Sequence, residues 1–214
     1  MNILEIDGRA WRTPLTHLPH NHQVCSARLT HRNQRGTFHF EGTQGYEFYR
    51  TKHWMPVRSL QQKNGRRWET WMVDDPLHWY AMKEAVEALP SGRILVAGLG
   101  LGLMLHHMAQ IDRFTNIRVI EYNPDVIDLI RTTIPPDPRV MIMHADFWRV
   151  LEHASPEKVD GVLWDLAVGE PHETYVSMMK ADALCQLFLP GVPLVVFGRR
   201  RHGPRPAILA ALGV

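Results

Sequence analysis

The sequence has few of the features that mark secreted, membrane-spanning or metal-binding proteins. Its two cysteines, Cys25 and Cys185, are far apart and show no metal-ligand spacing, so neither a disulfide framework nor a cysteine metal site is expected. The chain has no run of about 18 apolar residues that could span a membrane. Residues 1–5 lack the charged start and apolar run of a signal peptide. We therefore expect a cytoplasmic protein.

The sequence also lacks an excess of charge of either sign. Its 214 residues include 24 Lys and Arg and 22 Asp and Glu, a formal net charge of +2, so bulk charge predicts no polyanionic partner. One basic segment is a place where phosphate or RNA could bind, but no aromatic residue interleaves it, and a solvated basic tail is the preferred interpretation. Its arginines are Arg199, Arg200, Arg201 and Arg205. Near the start of the chain, His17, His20 and His22 lie close together in sequence. No carboxylate or cysteine completes a recognisable metal site with them, so no metal is expected.

The chain is organised around the segment 94–103, Ile-Leu-Val-Ala-Gly-Leu-Gly-Leu-Gly-Leu. A short apolar strand leads into Gly98, Gly100 and Gly102, and an apolar run with helical spacing follows. An open α/β sheet builds its nucleotide site from a strand, a glycine turn and a helix, because glycine lets the backbone turn sharply and approach a ligand. The dinucleotide fingerprint Gly-x-Gly-x-x-Gly does not match, because the third glycine comes one residue early.

Further apolar strands and helices alternate after this segment. The strands are expected at 116–121, 139–143, 159–165 and 192–197. This alternation predicts a Rossmann-like, mostly parallel sheet with helices on both faces, over residues 74–214. Before it, alternating segments around an Asn64-Gly65 turn predict a small antiparallel β unit over residues 1–73. Asp75 as N-cap and Pro76 at the first helical position predict a helix between the two units.

Acidic residues end the predicted strands, at the sheet edge where ligands bind in such folds. Glu121 follows Gly98 by 23 residues, where a carboxylate can hold a ribose diol; a solvated strand-end acid is the alternative. Asp146, followed by Phe147, either accepts from an adenine amino group or only caps the next helix. Asp165 could hold an acceptor, take its proton or stabilise positive charge. Its alternative role is to order the following loop.

These segments resemble the class I S-adenosylmethionine (SAM)-dependent methyltransferases, and among them the spermidine synthase-like aminopropyltransferases. The resemblance rests on the Gly-x-Gly-x-Gly turn, on Glu-Tyr-Asn-Pro at 121–124, and on the order of motifs over residues 57–198. It implies a site for SAM or decarboxylated SAM made of Gly98, Gly100, Gly102, Glu121, Tyr122, Asp146 and Phe147. It also implies a role for Asp165 at the reacting centre and acceptor contacts from Asp75, His78, Glu170 and His172.

Departures from the spermidine synthase pattern favour methyl transfer. Leu101 and Val168 stand where that family has aspartates, and a polyamine substrate needs several carboxylates. We therefore predict methyl transfer to a small acceptor. Aminopropyl transfer from decarboxylated SAM and non-catalytic SAM binding are the alternatives, and a nicotinamide dehydrogenase ranks last. Residues 199–214 are too few for the usual closing hairpin, so we expect an abridged sheet whose edge could pair in a homodimer.

Overall fold

The computed structural model describes residues 3–18, 21–43, 46–166 and 171–197. Within them the chain forms two sheets, which helix α1 (Pro76–Glu87) separates in sequence. The first sheet contains β1 to β5, in chain order Ile3–Ile6, Asn21–Val24, Ala27–Thr43, Tyr46–Asn64 and Arg67–Val73. The second contains β6 to β10, in chain order Gly92–Ala97, Phe114–Glu121, Val140–His144, Gly161–Trp164 and Leu194–Val196. The helices that follow α1 are α2 Leu103–Met108, α3 Pro124–Ile130, α4 Phe147–Glu152 and α5 Pro171–Phe188.

The second sheet is parallel throughout, in the order β10-β9-β6-β7-β8. This confirms the predicted Rossmann-like sheet. The strand order reverses at β6, since β7 lies on one side of it and β9 on the other. The turn that follows β6 therefore opens between the carboxyl ends of its two neighbours, which is where ligands bind in open α/β sheets.

The first sheet is dominated by a long hairpin of β3 and β4. The predicted Asn64-Gly65 turn joins β4 to β5 in a second hairpin. The antiparallel prediction is right for these pairs and for β2 with β3, but it is wrong for β1, which pairs with β4 in parallel, Ile3 opposite Phe48. A tight turn joins only antiparallel neighbours, whereas β1 reaches β4 by a crossover of many residues. The unit is therefore a mixed sheet.

Apolar clusters cover both faces of the second sheet. Alternate residues of a strand point to opposite faces, so Ile94 and Val96 join one cluster and Leu95 and Ala97 the other. The α1 residues that recur at helical spacing, such as Met82, are buried in the first cluster. No helix in the described ranges is both long and apolar enough to cross a membrane.

Hydrogen bonds join the first sheet to the start of α3. Asp125 Oδ2 accepts from Ser26 N at 2.7 Å and from Ser26 Oγ at 2.6 Å. Asn123 Nδ2 donates to Gln62 Oε1 at 3.3 Å. These bonds hold the turn between β2 and β3 beside the carboxyl edge of the parallel sheet, so the first sheet lies close to the predicted ligand site.

Candidate functional site

The turn after β6 requires glycine at its first position. Gly98, Gly100 and Gly102 have φ values of 91°, 52° and 70°, a region that residues with a Cβ rarely adopt. A Cβ on Gly98 would lie 2.4 Å from the backbone oxygen of Asp165. The glycine turn therefore packs directly against the end of β9, and the two segments form one surface at the carboxyl edge.

The first sheet contributes Met72 to this surface. A Cβ on Gly100 would lie 2.9 Å from Met72 Sδ, and Leu101 N donates to the same sulfur at 3.3 Å. Sequence reasoning missed Met72, because no motif surrounds it. Its only signal is a position near the end of the strand that follows the Asn-Gly hairpin. A ligand above the glycine turn would contact this thioether or displace it.

Glu121 links the glycine turn to the start of α3. Its Oε2 accepts from Leu99 N at 3.0 Å, and its Oε1 accepts from Asn123 N at 2.8 Å. The side chain is half-buried, so the carboxylate has a fixed orientation and is still reachable. Tyr122, the next residue, is 74% exposed.

Asp146 is the N-cap of α4. Its Oδ1 accepts from Trp148 N at 2.9 Å, so the helix-capping interpretation is confirmed, and the half-buried carboxylate lies at the carboxyl edge beside Glu121 on the neighbouring strand. Phe147 is 4% exposed and packs edge-on against Trp148, with ring centroids 5.5 Å apart. Little of the Phe147 ring is accessible to a ligand.

Asp165 follows β9 on the other side of the glycine turn. Its N donates to Ala97 O at 2.9 Å, which continues the sheet ladder. Its Oδ2 is buried and has no hydrogen-bond partner among the described residues. Burial raises the pKa of Asp165 to about 7; the charge of His78 lowers this pKa, and Glu121 raises it. The carboxyl group is therefore poised to gain or lose a proton near neutral pH.

Asp75 and His78 form a hydrogen-bonded pair at the first turn of α1. Asp75 Oδ1 accepts from His78 N at 3.0 Å and lies 2.8 Å from His78 Nδ1. Tyr49 OH donates to the other oxygen of Asp75 at 3.4 Å. The His78 ring stacks on Phe197, with centroids 6.2 Å apart. The side chain of His78 is 23% exposed and that of Asp75 is 7% exposed, so the histidine is the accessible member of the pair.

The charges around His78 favour its protonated form. Burial acts to lower the pKa of His78, but the charge and hydrogen bond of Asp75, together with Asp165 and Asp74, outweigh burial and raise this pKa. The structure thus brings together Asp75, His78 and Asp165, which come from two distant segments of the sequence. Together they can hold and move one proton beside the glycine turn.

Several predicted residues lie outside what the structure describes. They are Glu170, Arg199, Arg200, Arg201, Arg205 and His20. His172 lies in α5 and His17 in the short helix Pro14–His17, but their side chains are not among those described.

Comparison by sequence finds methyltransferases. No family model matches the chain. The ribosomal RNA small subunit methyltransferase H of Xylella fastidiosa is 28% identical over 101 residues, which are 47% of this chain and 32% of the relative. The protein of the same name from Stenotrophomonas maltophilia is 30% identical over 98 residues, 45% of this chain and 30% of the relative. The chain thus matches about a third of the length of these relatives. The predicted resemblance to methyltransferases is confirmed by these relatives.

Comparison by structure finds spermidine synthases. A probable spermidine synthase from Corynebacterium glutamicum aligns with 72% of this chain and 54% of its own, at 17% identity and a TM-score of 0.45. The spermidine synthase from Thermotoga maritima aligns with 50% of this chain and 43% of its own, at 17% identity and a TM-score of 0.37. We base no functional argument on these two structures, since neither score reaches 0.5.

Proposed function

We propose that this chain, whose curated relatives are methyltransferases, binds SAM at the carboxyl edge of the parallel sheet and catalyses methyl transfer. The observation that carries the proposal is Glu121, whose carboxylate is held by Leu99 N and Asn123 N beside the glycine turn. A carboxylate has about four acceptor positions, and the described residues use two of them, so Glu121 can also accept from a ribose diol. SAM would supply an electrophilic methyl group on a sulfonium.

The residues at this edge suit such a cofactor. The glycine turn puts no Cβ between its backbone and a ligand, so it would admit the methionine part once Met72, which lies against Gly100, is displaced, with Gly102 beginning the helix. Asp146 would accept from the adenine amino group while it caps α4. Among the described residues no donor reaches Oδ2 of Asp165, as expected of an acceptor that meets a ligand.

We assign proton transfer to Asp165 and His78. Methyl transfer requires in-line positioning of the attacking atom and at most one base, and a base works best when its pKa lies near the operating pH. Burial brings the pKa of Asp165 to about 7. Asp75 would orient the His78 ring through Nδ1. The apolar, fully buried Leu101 offers no carboxylate for a polyamine, so methyl transfer is favoured over aminopropyl transfer. The expected acceptor is a small molecule, whereas the relatives are named as ribosomal RNA methyltransferases.

Calorimetric titration with SAM tests the proposal. SAM is expected to bind the wild-type chain, and Glu121→Gln should weaken binding by about tenfold or more, since hydrogen bonds to a charged group contribute about 1.5–3 kcal/mol. Glu152→Gln, at the exposed end of α4, is the matched control and should bind as the wild type does. Decarboxylated SAM and NAD serve as competing ligands. Preference for either of them, or equal SAM affinity in Glu121→Gln, would contradict the proposal.

A further inference from the structure

The small net charge of the chain conceals a separation of charge between its two parts. Residues 1–73 contain 11 Lys and Arg against 5 Asp and Glu, a net charge of +6, whereas residues 74–214 contain 13 against 17, a net charge of −4. The part of the chain that contains the first sheet is therefore basic, although the whole chain carries almost no net charge. A basic surface of this kind attracts polyanions.

At one end of the β3–β4–β5 sheet, cations surround a tryptophan. The Arg28 guanidinium lies 4.3 Å from the centre of the Trp68 ring, and Lys63 is the cross-strand neighbour of Trp68. Lys63, Arg66 and Arg67 are exposed. None of these three forms an ion pair with a carboxylate among the described side chains. Their charges are therefore available to a ligand.

A second pair of the same kind lies further along the hairpin. The Arg35 guanidinium lies 5.2 Å from the centre of the Trp54 ring, and Trp54 is 60% exposed. Trp54 and Lys63 lie on one strand, nine residues apart, and β3 and β4 pair without a register shift from Ala27 opposite Gln62 to Gln34 opposite Met55. This odd spacing places Trp54 and Lys63 on opposite faces of the sheet. The Arg35–Trp54 pair is therefore separate from the cluster around Trp68.

We propose that the basic sheet surface at the end of the β4–β5 hairpin, formed by Arg28, Lys63, Arg66, Arg67 and Trp68, binds single-stranded nucleic acid. Cations would neutralise phosphates, and the Trp68 ring would stack on an unpaired base, which is the combination that single-strand binding proteins use. A duplex hides its base faces and gains only the phosphate contacts. The inference concerns the first sheet and does not require SAM, so it stands or falls separately from the proposed methyl transfer.

Fluorescence anisotropy of a labelled single-stranded RNA of about 12 nucleotides, without SAM, tests the surface on the full chain. The triple variant Lys63→Ala/Arg66→Ala/Arg67→Ala should bind about tenfold more weakly and lower the slope of affinity against salt by about 2. The matched control is Arg118→Ala/Arg149→Ala/Lys158→Ala, which removes three exposed cations from around a cavity of the parallel sheet. The control should bind within about twofold of wild type.

Stacking is tested by Trp68→Ala, which should weaken binding by about tenfold, while Trp68→Phe should retain most of the affinity. Trp54→Ala, on the opposite face of the sheet, is the control and should bind within about twofold of wild type. Single-stranded DNA of the same sequence is measured beside the RNA, and binding of either one supports the proposal if the variants weaken it in the same way.

Equal losses of affinity in the two triple variants would mean that net charge alone explains binding, and would overturn the proposal. So would equal affinity for duplex RNA, or binding of phosphatidylserine vesicles in place of RNA.

Discussion

The two sheets of this chain differ in the length of their strands, in the direction of strand pairing and in the residues that they expose. The first has β3 and β4 of 17 and 19 residues, paired antiparallel, and exposes cations and tryptophans along them. The second has strands of 3 to 8 residues, paired in parallel, and buries apolar residues on both faces. The comparison teaches that the candidate site residues of the second sheet lie at its carboxyl edge, where the first sheet contacts it through Met72 and Ser26.

The largest expected effect on stability distinguishes two substitutions: one at Gly98, which is crowded and follows a strand of the second sheet, and one at Gly65, which is open and lies in a turn of the first sheet. In Gly98→Ala the new methyl group would lie 2.4 Å from the backbone oxygen of Asp165, so we expect a loss of about 3 kcal/mol in the free energy of unfolding and loss of SAM binding. Gly65→Ala also has positive φ, but nothing lies within 4 Å of its methyl group. Only backbone strain of about 1 kcal/mol should remain there. Urea unfolding measures both, and equal losses would contradict the packing of the turn on β9.

The next prediction concerns the pH dependence of stability that Asp165, at the edge of the second sheet, produces. Its pKa is about 7 in the folded chain and about 3.9 when unfolded, so the folded state binds the proton more tightly. The resulting stability is complete below pH 4 and is lost as the pH rises to 7. Asp165→Asn should therefore be more stable than wild type at pH 8, by about 2 kcal/mol after allowance for partial exposure, and similar to it at pH 4.

Asp160, just before β9, gives a pH dependence of stability that is opposite in sign to that of Asp165. The hydrogen bonds of Arg93 lower the pKa of Asp160 to about 2, so its contribution to stability is present above pH 4 and is lost as the pH falls toward 2. Asp160→Asn should lower stability at pH 7 and matter least at low pH. Urea unfolding between pH 3 and pH 8 measures both variants. A pH dependence of the same sign in both would contradict the assigned environments.

The smallest expected effect concerns the contact between the two sheets. Ser26→Ala removes the hydroxyl that donates to Asp125 at 2.6 Å and should cost about 1 kcal/mol. Ser155 is partly buried like Ser26 and makes no side-chain hydrogen bond at the helix it precedes, so Ser155→Ala is the control and should change thermal unfolding little. A larger effect at Ser155 than at Ser26 would show that the contact between the sheets does not contribute to stability.

Much of the parallel sheet could be predicted from the sequence. Strand positions follow from apolar runs bounded by turns, and the caps Asp75, Asn123 and Asp146 all begin helices as their residue types indicate. The pairing of β1 could not be predicted, because a parallel partner leaves no local turn signal. Met72 and the burial of Phe147 depend on which segments pack together, and no spacing records that.

The sequence by itself determined the local features: where strands and helices begin, that Gly98 needs to be glycine, and that acids end the parallel strands. It did so because backbone preference and hydrophobic periodicity act over a few residues. Only the tertiary structure decided that Asp75 and His78 lie near Asp165, that Met72 covers the glycine turn, and that basic residues of three strands share one sheet. These depend on long-range packing, which sets burial and charge, and through them the pKa values of the site.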